Sequence, residues 1–458
     1  MEVKENKMGV MPVNKLILNM SLPMMASMLV QALYNIVDSI FVSQIDEYAL
    51  RAVSLAFPLQ MLMVAVAVGT SVGVNAYLSK TLGEKNYERA NHIAGNGIFL
   101  AIVSAVIFVL IGQFAVKSFY QSQTDVEIVR QYGISYLTIC LTFSIGSFSQ
   151  IILERILQST GKTVHTMITQ TTGAVINLIL DPILIFGYFG FPRLGVAGAA
   201  YATVAGQIIA AIFALILNLC CNQEVKLSFR QLMPDFKLIA QIYKVGAPSI
   251  IMQSVGSVMT YGMNLILAPF GVAQTVFGIY FKLQSFIFMP VFGLNNGMVS
   301  IIAFNYGAGF RERVTETIRA SIKYAVAIML VGMVVFELFP AAFVNMFNSK
   351  GSAELLAVGV PALRIICTHF ILAGFCIVVG SVFQALGNGV YSMLVSISRQ
   401  LIVLLPAAYL LSLSGNVNLI WLSFPIAEVA SVAMSTFFLI RINRKVIQHI
   451  GEPALDKK

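Results

Sequence analysis

The chain carries little charge for its size. Asp, Glu, Lys and Arg make up 11% of its 458 residues, against 58% apolar residues and a mean hydropathy of +0.84. An ordinary soluble domain is about 25% charged, so a water-soluble class is excluded. Histidine is scarce too: His92, His165, His369 and His449 are scattered, and no HExxH pair occurs. GxSxG, a phosphate-binding Walker loop and CxxC are also missing, and the loops are too short to hold a nucleotide-binding domain. An enzyme and an ATP-driven pump are therefore both excluded, and no cofactor is expected. The five cysteines, Cys140, Cys220, Cys221, Cys367 and Cys376, fall in or at the edge of apolar stretches without metal-ligand spacing. They read as small buried hydrophobes, not as a disulfide frame.

What is present is a series of long apolar runs. Twelve stretches reach the length that spans a bilayer: 16–42, 53–79, 93–116, 130–153, 164–187, 196–221, 239–268, 274–303, 318–345, 357–385, 391–413 and 417–440. The N-terminal Glu2, Lys4, Glu5 and Lys7, with no small-residue cleavage site after the first run, read as no signal peptide. The net charge of +9 raises nucleic acid as a partner, but its distribution points to a membrane. With the N-terminus inside, the inside segments collect Lys4, Lys7, Lys15, Lys80, Lys85, Arg89, Arg155, Lys162, Lys226, Arg230, Lys237, Lys244, Arg311, Arg313, Arg319, Lys323, Arg399 and five more bases after Ile440. The outside segments hold only Arg51, Lys117, Arg130, Arg193, Lys350 and Arg364. This asymmetry predicts a multi-pass protein of the cytoplasmic membrane with both termini cytoplasmic.

The chain is also written twice. LGEKNYERA at 82–90 matches YGAGFRERV at 306–314, Gln158, Gly161 and Met167 recur as Gln384, Gly387 and Met393, and Pro23 recurs as Pro248. Matches in one order near one offset mark a duplication. Because both copies of the basic loop lie on the same side, the repeats are parallel. The sequence thus predicts an all-α integral membrane fold: twelve transmembrane helices in two parallel, pseudo-symmetric six-helix lobes. Residues 1–221 form the N-terminal lobe, 222–238 a cytoplasmic linker and 239–458 the C-terminal lobe.

Ionisable groups at membrane depth cost about 2.5–3.5 kcal/mol on insertion scales and mark candidate sites. Gln31, Tyr34, Asn35 and Asp38 share one face of the first span at i, i+3, i+4 and i+7. In the fifth span Asn177 precedes Asp181 by one turn, and Pro182 frees a carbonyl. That oxygen cluster suits a proton or a sodium ion; a proline kink capped by its neighbours is the plain alternative. The second half has no acid at the matching places, near Met263 and Pro406. Ion coupling is therefore expected in the N-terminal half. Glu154, beside Arg155, is either a local charge pair or a cavity-lining group. Lys282 is the only clearly intramembrane lysine, and snorkels or faces the cavity. Glu337 and Glu428 read as structural or interfacial. Thr203 lies among small residues, where helix packing alone explains it.

The strings SLPMM (21–25), LYNIVDSIFV (33–42), ERILQSTG (154–161), INLILDPILIFG (176–187), GVAGAAYAT (195–203) and FNYGAGFRERV (304–314) resemble the multidrug and toxic compound extrusion (MATE) family, in its DinF-like branch. The resemblance runs from about Leu16 to Asn443. It implies a V-shaped pair of lobes and a cation site in the N-terminal lobe, with Asp38 and Asp181 joined by Gln31, Tyr34, Asn177, Thr203 and Tyr136. Pro23 matches a bend-prone proline. A sister branch has acids in its seventh and tenth spans; here only Gln253 and an uncharged 371–385 run stand there.

The expected function is a cation-coupled antiporter that exports amphipathic, mostly cationic drugs by alternating access. Cation coupling falls to Asp38, Asn177, Asp181 and Thr203, with Asp38 and Asp181 as metal ligands only if the ion is sodium. The cavity falls to Gln31, Tyr34, Asn35, Tyr136, Glu154 and Lys282, and helix bending to Pro23. Small organic substrates and the bilayer are the expected partners, nucleic acid is not, and the protein is expected to be a monomer. The alternative is a flippase for a lipid-linked precursor on the same fold, against which the scarcity of intramembrane bases argues.

Overall fold

The computed structural model describes residues 5–348 and 351–452, so Lys4, Lys350, Lys457 and Lys458 of the charge count lie outside the described residues. Within them, the regular structure is helical. Ten helices are long and apolar enough to cross a membrane, and two bent pairs bring the number to twelve. In order, the first three spans are Val13–Ser43, Glu47–Gly83 and Tyr87–Phe114. The fourth is the pair Glu127–Thr142 and Ile145–Ser159, bent by 44°. The fifth to ninth are Thr163–Phe186, Val196–Cys221, Phe236–Leu267, Ala273–Gly307 and Arg311–Leu338. The tenth is the pair Ala353–Cys367 and Phe370–Ala385, bent by 48°, and the last two are Gly389–Ser412 and Val417–His449. Each of the twelve expected stretches has its helix. The ninth ends earlier than the expected residue 345. Pro340 has no N–H to continue it, and instead starts a separate helix, Pro340–Asn345.

The duplication is legible in the backbone. The breaks after Thr142 and Cys367 fall at the same place in each half, as do the restarts at Ile145 and Phe370. In the repeated basic loop Lys85 has φ 57° and its counterpart Gly309 has φ 77°. One tight turn after the second and eighth spans thus needs the left-handed region in both copies. Lysine bears that strain in one, and glycine relieves it in the other.

Large apolar side chains such as Phe114, Leu338, Leu413 and Phe437 remain exposed on outer faces, as lipid-facing surfaces require. The eighth span is the exception. In its most apolar window 67% of residues are buried, because it packs against the first, second, ninth and tenth spans. Of the cysteines, Cys140, Cys367 and Cys376 are buried as expected, but at the end of the sixth span Cys220 is exposed and Cys221 half-buried.

The halves meet at the end that carries the basic loops. Ser21 donates to Leu294 O (3.3 Å), Ser300 to Asn75 Oδ1 (3.0 Å), Arg155 to Asn296 Oδ1 (2.9 Å) and Arg89 to Gln241 Oε1 (3.0 Å). Glycines bring backbones together there: a Cβ on Gly83 would collide with the Phe304 carbonyl, one on Gly307 with the Lys80 carbonyl, and one on Gly73 with the Ile242 carbonyl. The short helix Lys7–Val10 straps this seam, with Arg313 donating to Met8 O (2.9 Å) and Met11 O (2.8 Å).

Candidate functional site

The first and fifth spans bring two carboxyl groups together. Asp181 is fully buried, Asp38 partly so, and the two are close enough to share a hydrogen bond. Oδ1 of each is buried without a donor among the described residues. Two carboxylates in contact cannot both stay ionised without a proton or a cation between them.

Small residues set the rest of the site. A Cβ on Gly206 would lie 2.7 Å from the Gly173 carbonyl oxygen and 3.3 Å from Asn177 Cβ. The fifth and sixth spans therefore approach backbone to backbone, and Thr203, one turn before Gly206, falls against Asn177. The Asn177 amide lies 3.2 Å from Thr203 Oγ1. With the amide turned to satisfy both ends, its nitrogen donates to Asp181 Oδ2 (3.2 Å) and its oxygen accepts from the Thr203 N–H (3.0 Å). Thr203 thus serves the site as well as helix packing. Asn177 is itself buried, so it holds Asp181 on one side and leaves Asp38 to approach from the other.

Tyr34, one turn before Asp38, is half-buried and faces both carboxyl groups, with Cys140 beside it. Tyr136 is buried behind it and accepts from Gln60 Nε2 at 3.3 Å. Gln31 and Asn35 lie on the same helix face but stay exposed. Pro23 lies inside the first span, which runs as one helix through it and packs at Met25 against Gly293 of the eighth.

Two expectations change, those for the Glu154–Arg155 pair and for Arg399 with Glu428. Glu154 and Arg155 form no salt bridge, and each bonds to different partners. Glu154 is buried and accepts from Gln150 Nε2 (3.0 Å), Thr169 Oγ1 (3.1 Å) and Gln170 Nε2 (2.8 Å), all in its own half. Arg155 crosses to Asn296. Lys282 is exposed, its Nζ 5.7 Å from the centre of the Phe347 ring. Arg399 does not belong to an inside loop: it sits in the eleventh span and pairs with a buried Glu428, which is therefore not interfacial. A cleft of about 730 Å³ at the basic-loop end is lined by Asn14, Arg311, Glu312, Glu316, Arg319, Lys323 and Tyr324, and by neither Asp38 nor Asp181.

Among the described residues no three His, Cys, Asp or Glu side chains gather as a metal site. A sodium ion between Asp38 and Asp181 would need neutral oxygens from Asn177, Thr203 or Tyr34.

Comparison with known proteins decides the family. The MatE profile matches residues 23–183 and again 248–410, more than half of the chain and once in each half. The chain belongs to the MatE family. Its relatives include the multidrug export protein MepA of Staphylococcus haemolyticus, 28% identical over 434 residues covering 94% of each chain, and MepA of Staphylococcus aureus, 28% identical over 438 residues with the same coverage. The structure of a multidrug resistance MATE family transporter in its outward-facing conformation superposes with a TM-score of 0.90 at 25% identity, over 96% of this chain and 98% of that one. A transporter of the MOP superfamily from Pyrococcus furiosus shares the fold, with a TM-score of 0.87 at 23% identity. MatE proteins are transporters, so the exclusion of an enzyme stands.

Proposed function

We propose that this MatE-family protein is a proton-coupled antiporter that exports amphipathic, mostly cationic organic compounds by alternating access. The contact between Asp38 and Asp181 carries the reading. A pair of acids that needs one positive charge is met by a proton or by a cationic substrate, and exchange follows if the two compete. A proton fits a shared hydrogen bond directly. Sodium is the alternative ion and would draw on the same acids. The sealed basic-loop end supports an outward-open state, in which a proton entering from outside releases the cargo. Pro23 leaves a missing hydrogen bond in the first span, a place where that helix can bend as Asp38 changes charge.

In this reading the lobes are 1–221 and 239–458, joined by 222–238, and the protein is a monomer in the cytoplasmic membrane with both termini cytoplasmic. The DinF-like placement rests on the acids of the first and fifth spans. MepA relatives, named as multidrug exporters, support drugs as cargo over a lipid-linked precursor. Ethidium efflux from cells carrying the chain, with and without an uncoupler, tests the proposal. Efflux that stops with the uncoupler supports it; efflux that ignores both proton and sodium gradients refutes it.

A further inference from the structure

The second half contains a buried charge pair that the Asp38–Asp181 site does not use. Arg399 lies in a π-helical stretch, Ser398–Leu404, and its Nη1 stands 3.3 Å from Oε2 of Glu428 on the twelfth span. The Glu428 side chain is 3% exposed and that of Arg399 27%. Pro406 follows two residues after the stretch, where the missing N–H and the ring favour a widened turn.

The repeat fixes what Glu428 corresponds to. Ala202-Thr203-Val204-Ala205 recurs as Ala427-Glu428-Val429-Ala430, in the register that also relates the breaks in the fourth and tenth spans. Glu428 thus stands where the first half has Thr203, the hydroxyl that bonds Asn177. Each half thus has a polar side chain at this position of its sixth helix, set among groups of different charge. The first has two acids and needs a mobile cation. The second has one acid beside a guanidinium that never deprotonates in proteins.

We propose that Arg399 is a tethered counter-ion that fills the cation place of the second half, so that Glu428 exchanges no ion and coupling is confined to Asp38 and Asp181. The inference rests on the antiporter reading above. The pocket around the pair also holds buried oxygens that the guanidinium leaves free. Glu428 Oε1 and the hydroxyls of Ser431 and Ser435 are buried without partners among the described residues, on one helix face. Tyr280 and His369 pack on Phe424, one turn before Glu428, with ring centres 5.6 and 5.9 Å away. The groups that face the carboxylate are therefore Tyr280 from the eighth span, His369 and Cys376 from the tenth and Arg399 from the eleventh. Only Arg399 among them carries a fixed charge.

The test is thermal unfolding of the purified full-length protein from mildly acidic to mildly alkaline pH, and in sodium against an organic cation at one ionic strength. The parent carries Asp38→Asn and Asp181→Asn, so that the first-half acids are silent. Arg399→Gln on that parent should acquire a Tm rise of more than about 2 °C on acidification or on adding sodium. The response is read as the excess over the parent, and the Arg399→Gln/Glu428→Gln variant should show no excess. An Arg399→Gln protein as insensitive as the double variant would overturn the proposal, since the pair would then be packing alone. If Arg399→Gln does not accumulate, recovery of yield by adding Glu428→Gln supports the counter-ion, and no recovery refutes it. Because transport is not the readout, this result and the ethidium result can fail separately.

Discussion

Gly307→Ala should open the seam at the basic-loop end. Its Cβ would collide with the Lys80 carbonyl, a backbone atom near the end of the second span that no side-chain rotation can move away. The two helices must separate, and overpacking of this kind costs about 1–3 kcal/mol. That cost falls on the state in which the seam is closed, so the population ratio should shift about 5–150-fold towards opening. Gly278→Ala is the control, because nothing lies within 4 Å of its added Cβ. The assay is the distance between spin labels at Glu84 and Arg311, the two flanks of the seam. Gly307→Ala should lengthen and broaden it, and Gly278→Ala should leave it unchanged. Identical distance distributions for the two variants would refute the claim that this contact locks the closed state.

Other outcomes follow from the same geometry. Asn75 Oδ1 accepts from Ser159 (2.7 Å), Ser300 (3.0 Å) and Ser79 (3.3 Å), so Asn75→Ala strands the buried Ser300 hydroxyl and should lower Tm by the equivalent of about 1–3 kcal/mol, read by thermal unfolding. Burial raises the carboxyl of Glu224, in the connection after the sixth span, above its ordinary 4.5, while the Asn6 amide and Lys162 pull it back. A raised acid adds stability below its unfolded value and loses it as pH rises through the folded one. The segment around Glu224, which accepts from Asn6 Nδ2 at 2.8 and 2.9 Å, should therefore lose net stability with rising pH in wild type but not in Glu224→Gln, because the burial cost of the ionised carboxylate outweighs the Asn6 bond, as read by hydrogen exchange at Met8. Pro23→Ala should restore a backbone donor, stiffen the first span and blunt pH-driven efflux while drug affinity persists.

The spans were legible because lipid imposes one unbroken signal, about twenty apolar residues per helix, and local periodicity suffices to read it. The Asp38–Asp181 pairing was half legible. An intramembrane acid announces itself by cost, and Asn177 follows from helix spacing, but the meeting of two spans some 140 residues apart does not. Arg399 was misplaced for the same reason: nothing local says that a base within an apolar run finds an acid 29 residues later on another helix. The seam at Asn75, Ser300, Gly83 and Gly307 left almost no signal. It is built of small neutral residues whose role lies in the close approach of backbones, and glycine in a membrane helix has many uses. The bends in the fourth and tenth spans fall within apolar runs that contain no proline at the break, so neither length nor composition marks them.

The central claim is that one proton shared by Asp38 and Asp181 is exchanged for cargo. The direct measurement is proton release from purified protein in weakly buffered solution as a cationic drug is added, for wild type and Asp181→Asn. Wild type should release about one proton per drug bound, and Asp181→Asn should bind drug and release none. Drug binding to wild type without proton release, or equal release by a folded Asp181→Asn protein, would contradict the account.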